Sequence, residues 1–286
     1  MRHLHRLGCV FTAAACTGSG RSSAIDEEAC NDGGESSAAV IWSLTFARID
    51  ETGRTQGFDL DGFSTTENSS TGCGVPDQIG LDGSPGVDNA MANLIPILEL
   101  TEASAVEDIL RDGIRSGELL LMVELEDVAN TEHDPCVDLT LSQGSGTPLL
   151  STLNEILPGQ TFARDSALPR QRLGGMEMFC GEVEGGPIEL GLPFRVLGVD
   201  LDVHLSEGAI RVTVHADGSM TGIIGGGLDI DYLLEVAHHP NVDPEVASLM
   251  ETLLVQHADL DLDGDGVCEL ISTSLVFEAA QTYLID

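Results

Sequence analysis

Asp259, Asp261, Asp263 and Asp265 occupy alternate positions in the stretch HADLDLDGDGVCELIS, His257–Ser272, and an apolar run follows them at once. Four like charges this close repel one another unless a cation sits among them. Alternation lets a turning loop aim every second side chain at one centre. Carboxylate oxygens are hard ligands, which favours calcium over zinc or copper. A frame that starts at Asp261 offers the side chains of Asp261, Asp263 and Asp265. Gly266 then allows a sharp turn, Val267 presents its backbone carbonyl and Glu269 adds a further carboxylate. A frame starting at Asp259 also meets a glycine for the turn, but it puts Gly266 where a small apolar residue is better suited. The bland alternative is an acidic, glycine-rich surface turn without an ion.

A second acidic segment lies far upstream. GFDLDGF contains Asp59 and Asp61, and CGVPDQIGLDGSPGVDN adds Asp77, Asp82 and Asp88. The tetrapeptide DLDG occurs in both segments, at Asp59–Gly62 and Asp261–Gly264. Asp59, Asp61, Asp82 and Asp88 form the candidate second metal set, although Asp88 can equally serve as a helix cap and the others as turn formers.

The DLDGDGVC segment resembles the calcium loops of EF-hand and dockerin-like modules, over about a dozen residues only. The resemblance implies calcium held by Asp261, Asp263, Asp265, Val267 and Glu269. It departs at the twelfth loop position, where the family carries an acidic residue and this chain has Ser272. That departure predicts weak binding, about 10⁻⁴ to 10⁻³ M, as in extracellular modules. The element after the loop reads as a strand, so the pattern implies a grafted loop and not a helix–loop–helix switch.

These loops need a body and a compartment. The chain has 286 residues, 42% of them hydrophobic, enough for a substantial core. Its formal net charge is −36, and all 12 basic residues are arginine. No basic footprint exists for nucleic acid. The N-terminus, MRHLHRLGCVFTAAACTGSGRSS, has two early arginines, a short apolar run and then small residues, the layout of an export signal over 1–15. Its AAAC ending resembles a bacterial lipobox, with Ala13 where leucine is usual. That implies lipidation at Cys16, a lipid-anchored polar tether over 16–37, and an extracytoplasmic location at the periplasm or cell surface, with the membrane reached through the lipid. Five cysteines follow Cys16. In an oxidising compartment the pairings expected are Cys73 with Cys268 and Cys136 with Cys180.

The body, 38–286, reads as a single β-rich domain carrying acidic loops at about 50–89 and 259–272. Val40, Trp42, Leu44 and Phe46 share a face at period two, as do Ile271, Leu275 and Phe277. If those two strands are antiparallel neighbours, both acidic segments lie at one end of the sheet, where a Cys73–Cys268 bridge would join them. Helices are expected after Asp88, after the Ser104–Glu107 capping-box pattern and after Asp243–Pro244, the last with Val246, Leu249, Met250, Leu253 and Leu254 inward. DLDVHLSEGAIRVTVH, 200–215, predicts a hairpin turning at Glu207-Gly208, with six apolar side chains on one face and Asp200, Asp202, His204, Arg211, Thr213 and His215 on the other. GIIGGGLD, 222–229, reads as a bend. The fold class expected is α+β, mostly β: an antiparallel β-sandwich with about three covering or inserted helices.

No nucleophile elbow, phosphate loop or zinc-protease motif occurs. The functional expectation is a non-enzymatic, calcium-binding extracytoplasmic lipoprotein that binds a protein or glycan ligand or has an envelope-structural role. The alternative is a secreted carbohydrate-active enzyme or lectin-like module. One tryptophan and two tyrosines supply few sugar-stacking platforms, which weighs against that alternative.

Overall fold

The computed structural model describes residues 33–66, 73–100, 106–166, 168, 170–196, 199–240, 242, 244–261, 264 and 266–285. The expected leader, Cys16 and most of the expected tether lie outside the described residues. In chain order the elements are β1 (Glu35–Phe46), β2 (Arg54–Thr55), β3 (Gln78–Gly80), β4 (Pro85–Val87), α1 (Met91–Leu98), α2 (Val106–Ser116), β5 (Leu120–Val128), β6 (His133–Ser145), β7 (Gln160–Arg164), β8 (Gln171–Phe179), β9 (Glu182–Val196), β10 (Val199–Val214), β11 (Met220–Asp229), α3 (Ile230–Ala237), α4 (Pro244–Gln256) and β12 (Leu270–Ile285).

Eight of these strands close on themselves. The ring runs β1-β5-β6-β8-β9-β10-β11-β12 and back to β1, and every neighbouring pair is antiparallel. The expected sandwich is therefore wrong: the described residues form an antiparallel barrel with four helices. A sandwich and a barrel demand the same alternation of apolar and polar residues along each strand. What separates them is the pairing of the first strand with the last, Ala38 with Thr282 through Phe46 with Leu275.

The lumen is a packed core. Leu44, Val123, Leu125, Leu139, Val212 and Phe277 point inward and are buried. Outward positions on the far wall are polar, such as Glu182, Glu184, Asp202 and Arg211. Helix α2 touches β1, β5 and β9. Because β1 and β9 stand opposite each other in the ring, α2 crosses one mouth of the barrel, with Leu110 and Ile114 buried. Its Glu107 fastens it, accepting from the Phe46 backbone N–H at 2.9 Å and pairing with Arg48 at 3.0 Å. The expected capping-box serine, Ser104, lies outside the described residues. β7 pairs with β6 and, in parallel, with β12, while Arg164 meets Glu124 on the outer face of β5.

Several local expectations need correction. β10 is one continuous strand, not a hairpin. Glu207 has φ of 50° and sits in a bulge between Leu205 and Ile210. The apolar positions switch from odd (203, 205) to even (210, 212), and an inserted bulge restores their common face as well as a turn would. GIIGGGLD is no bend; it belongs to β11. In β1 an irregularity between Ile41 and Ser43 shifts the register, so Val40 and Leu44 face opposite sides and both are buried. On α4, Ala247 and Leu254 are buried while Leu249 is exposed.

The glycines of β11 have a packing reason. A Cβ on Gly225 would lie 2.7 Å from Phe58 Cδ2 and 3.1 Å from Ser274 Oγ. Phe58 thus lies flat against the outside of the barrel, with the Arg211 guanidinium 5.2 Å from its ring centre. Gly225→Ala should force the ring away and cost about 1–3 kcal/mol. The check is a lower melting temperature by calorimetry, with the far-UV spectrum unchanged.

Candidate functional site: a carboxylate cluster on the barrel wall

Antiparallel connectivity sends successive connections to alternate ends of the barrel. The segments 47–119 and 230–269 therefore emerge at the same end. Phe58 anchors the first of them to the wall. Asp88 N–H donates to the Phe58 carbonyl at 2.8 Å, which sets the two Asp-bearing stretches side by side. Next to Asp88, the buried Asn89 side chain donates to Thr55 Oγ1 at 3.0 Å and to the Gln56 carbonyl at 3.1 Å.

The carboxylates converge here. Ligand oxygens of Asp59, Asp61 and Asp88 all lie within 4.8 Å of one another. Asp59 is exposed, Asp61 half-buried, and Asp88 only 1% exposed. Asp88 Oδ2 accepts from the backbone N–H of Leu60 at 2.6 Å and of Asp61 at 3.3 Å. Its Oδ1 is buried and has no hydrogen-bond donor among the described residues. Gly62, at φ 76°, turns the chain after Asp61, whose Oδ1 accepts from Phe63 N–H at 2.8 Å.

Two further acids border the triad. Asp77 accepts from Thr65 N–H at 2.5 Å and lies close enough to act on Asp88. Asp259 is buried, accepts from Ser272 N–H at 2.7 Å and also from the Ser272 hydroxyl. Ser272 Oγ in turn accepts from Ala90 N–H at 2.8 Å, at the start of α1. A single relay of hydrogen bonds thus joins Asp259, strand β12 and the helix that follows Asp88. Ser272 is committed to this relay and does not close the downstream loop.

The remaining expected ligands divide. Asp82 is elsewhere, with its Oδ1 accepting from the Ser84 N–H at 2.9 Å and hydroxyl at 2.6 Å, so it leaves the set. Asp88 is not a cap; Ala90 holds that position on α1 without a side-chain bond. In the downstream loop Asp261 accepts from Gly264 N–H and Gly266 N–H, both at 2.9 Å. Gly264 and Gly266 have φ of 74° and 88°, so this loop turns as tightly as its glycines allow. Asp263 and Asp265 lie outside the described residues. Val267 is exposed and Glu269 is partly buried. Asp77 and Asp259 were not in either expected ligand set. The signal for Asp259 was the alternation itself, since it is the first of the four aspartates.

A disulfide joins Cys73 to Cys268 across 195 residues and links the two acidic segments covalently. Cys136 and Cys180 are also disulfide-bonded, but the strand register rules out the expected bridge between them. Cys180 N–H donates to the Glu132 carbonyl, and Val137 pairs with Met176. That separates the two by three to four residues along the strands, about 10 Å or more, beyond the ~7 Å reach of a disulfide.

No family model, curated protein or solved structure matches this chain.

Chemically, the cluster holds more negative charge than it can keep without a counter-ion. Burial pushes the Asp88 carboxyl up to about 8; the Leu60 N–H opposes this, and Asp61, Asp77 and Asp259 add to it. Burial likewise raises Asp259 to about 7, against the pull of its Ser272 bonds, with Asp77 adding to the rise. Asp77 is raised by burial too, against the pull of the Thr65 N–H; Asp61 and Asp59 add to the rise, and a hydrogen bond with the Asp88 carboxyl opposes it. A carboxyl whose folded pKa is raised binds a proton more tightly folded than unfolded. In metal-free buffer such a group favours folding least when it must ionise, so stability should fall as pH rises from about 4, the unfolded value, to about 8. The check is thermal melting in chelator across that range. Asp88→Asn should flatten the fall and raise the melting temperature at the alkaline end.

Proposed function

We propose that this protein is a non-enzymatic, calcium-binding extracytoplasmic lipoprotein, with a binding or structural role at the cell envelope. The observation that carries the reading is Asp88 Oδ1, a buried carboxylate oxygen with no donor among the described residues, set among other carboxylate oxygens within 4.8 Å. A buried anion is costly unless paired or bound to a metal. The donor set is all oxygen, which suits a hard divalent ion. Asp59, Asp61 and Asp88 would hold the ion, and Asp77 and Asp259 would add negative potential around it. Calcium takes six to eight oxygens, so water and backbone carbonyls would complete its shell. The downstream loop at Asp261–Glu269 remains a second calcium candidate, on the alternating carboxylates of its sequence. Bound calcium would reconcile the carboxylates and lock the two loops into a fixed surface at one end of the barrel. Attachment through Cys16 rests on the AAAC sequence; the tether would enter the barrel where β1 begins, at the end opposite that surface.

Melting of the purified protein in calcium and in chelator tests the metal. Binding at about 10⁻⁴ M predicts, with 10 mM calcium chloride, a gain of about 2.7 kcal/mol. That is roughly 5–10 °C for a domain of this size. Asp61→Asn combined with Asp88→Asn should abolish the part of the gain due to this cluster, and any remainder belongs to the downstream loop. Equal melting temperatures in calcium and chelator would refute the metal reading. Calcium-dependent sugar turnover would instead favour the carbohydrate-active alternative. For the anchor, Cys16→Ser should release the protein from the membrane fraction of a bacterial expression host and end incorporation of labelled fatty acid.

A further inference from the structure

The barrel has one thin seam. β8 and β9 pair only at Met178–Val183 and Phe179–Glu182, next to their turn. Above that point β8 continues along β6 and β9 along β10, and the two strands part. Where they part, the Gln143 side chain reaches across and donates to the Gly191 carbonyl at 3.1 Å. Beside this strut a cavity of about 370 Å³ opens from the surface into the lumen. Its floor is Leu121, Leu141, Leu190 and Ile224, all lumen-facing and buried. This is within the size range of small-molecule sites, roughly 300–1,000 Å³, and has their usual pattern of an apolar floor with a few polar groups.

The rim decides the chemistry of the occupant. Among the described residues, the ionisable groups lining the cavity are Glu189, Asp202 and His204, with no arginine. His204 Nε2 faces Asp202 Oδ2 at 3.2 Å, so the histidine is held by the carboxylate and leaves the rim acidic. We infer that this seam cavity binds a small cationic amphiphile, with the apolar body in the lumen and an ammonium group between Glu189 and Asp202. A fatty acid of equal length would put its carboxylate against two others and is disfavoured. The site shares no residue with the carboxylate cluster, so it stands or falls apart from the calcium reading.

Titration calorimetry on the full mature protein with octylammonium chloride and sodium octanoate tests this. The buffer is at about pH 8, where free histidine is neutral, with about 0.15 M salt to screen the overall negative charge. Octylammonium should saturate a single site at least about tenfold more tightly than octanoate. Glu189→Gln combined with Asp202→Asn should erase most of that preference. Gly191→Tyr should block the mouth from outside; a Cβ there would first meet the outward-facing His204 ring, at 3.3 Å, so the core is spared. Loss of octylammonium binding in this variant, with melting temperature retained, supports the assignment. If Gly191→Tyr melts early, perturbation of Leu190 and Ile224 methyl resonances by octylammonium in the unaltered protein is the deciding readout. The inference is overturned by absent saturable binding, by equal affinity for the two ions, by binding that survives in a folded Gly191→Tyr variant, or by methyl resonances that do not move.

Discussion

A carboxylate cannot stay charged in a buried place beside other carboxylates unless something positive joins it. Asp88 imposes that constraint on everything around it. Its backbone pairs with Phe58, its Oδ2 organises the turn at Leu60 and Asp61, and its neighbour Asn89 holds the end of β2 at Thr55 and Gln56. The chain two residues on is fastened to Ser272, and through it to Asp259. None of these bonds needs a charge: the Leu60 and Asp61 N–H groups would be met as well by the neutral carbonyl of an asparagine. Retaining a buried acid makes sense where its charge has a task.

The barrel is what makes this arrangement rigid. A loop carrying aspartates is ordinarily free to spread them apart. Here the loop is pinned flat by an aromatic ring on a glycine-floored patch of wall, bonded to β12 and tied by a disulfide to the segment that leads into β12. Closure of the ring fixes the wall, the wall fixes Phe58, and Phe58 fixes the height at which Asp88 enters. Carboxylates held on rigid elements cannot relax their repulsion by drifting, so their environment has to answer it.

Much of this was readable from residue types. The alternation in β12 and in β10 identifies their inner faces, and the repeated DLDG marks both turns. Asp59 and Asp61 follow directly from it. Other features escape a linear reading because they depend on distant partners. Asp88 stands just before a helix, where capping is the cheapest explanation; only its contact with residues 58–61 reveals another role. Asp77 and Asp259 join the cluster from 182 positions apart, which no spacing rule detects. The triple glycine in β11 resembles a bend because nothing local says that Phe58 and Ser274 press upon it. Ring closure is the largest omission. A strand that pairs at both edges and a strand that pairs at one have the same pattern of side chains, and only the meeting of β1 with β12 tells them apart.

That meeting also dictates the order in which the molecule can be made. Ala38 finds Thr282 only after nearly the whole chain exists. Until then β1 has an open edge on one side and β11 on the other, both lined with unpaired amides and carbonyls that invite neighbouring chains. Contacts this remote in sequence form slowly. A nascent polypeptide of this kind stays sticky until its last strand arrives. The heavy negative charge of the chain, whatever else it does, keeps such unfinished copies apart while they wait.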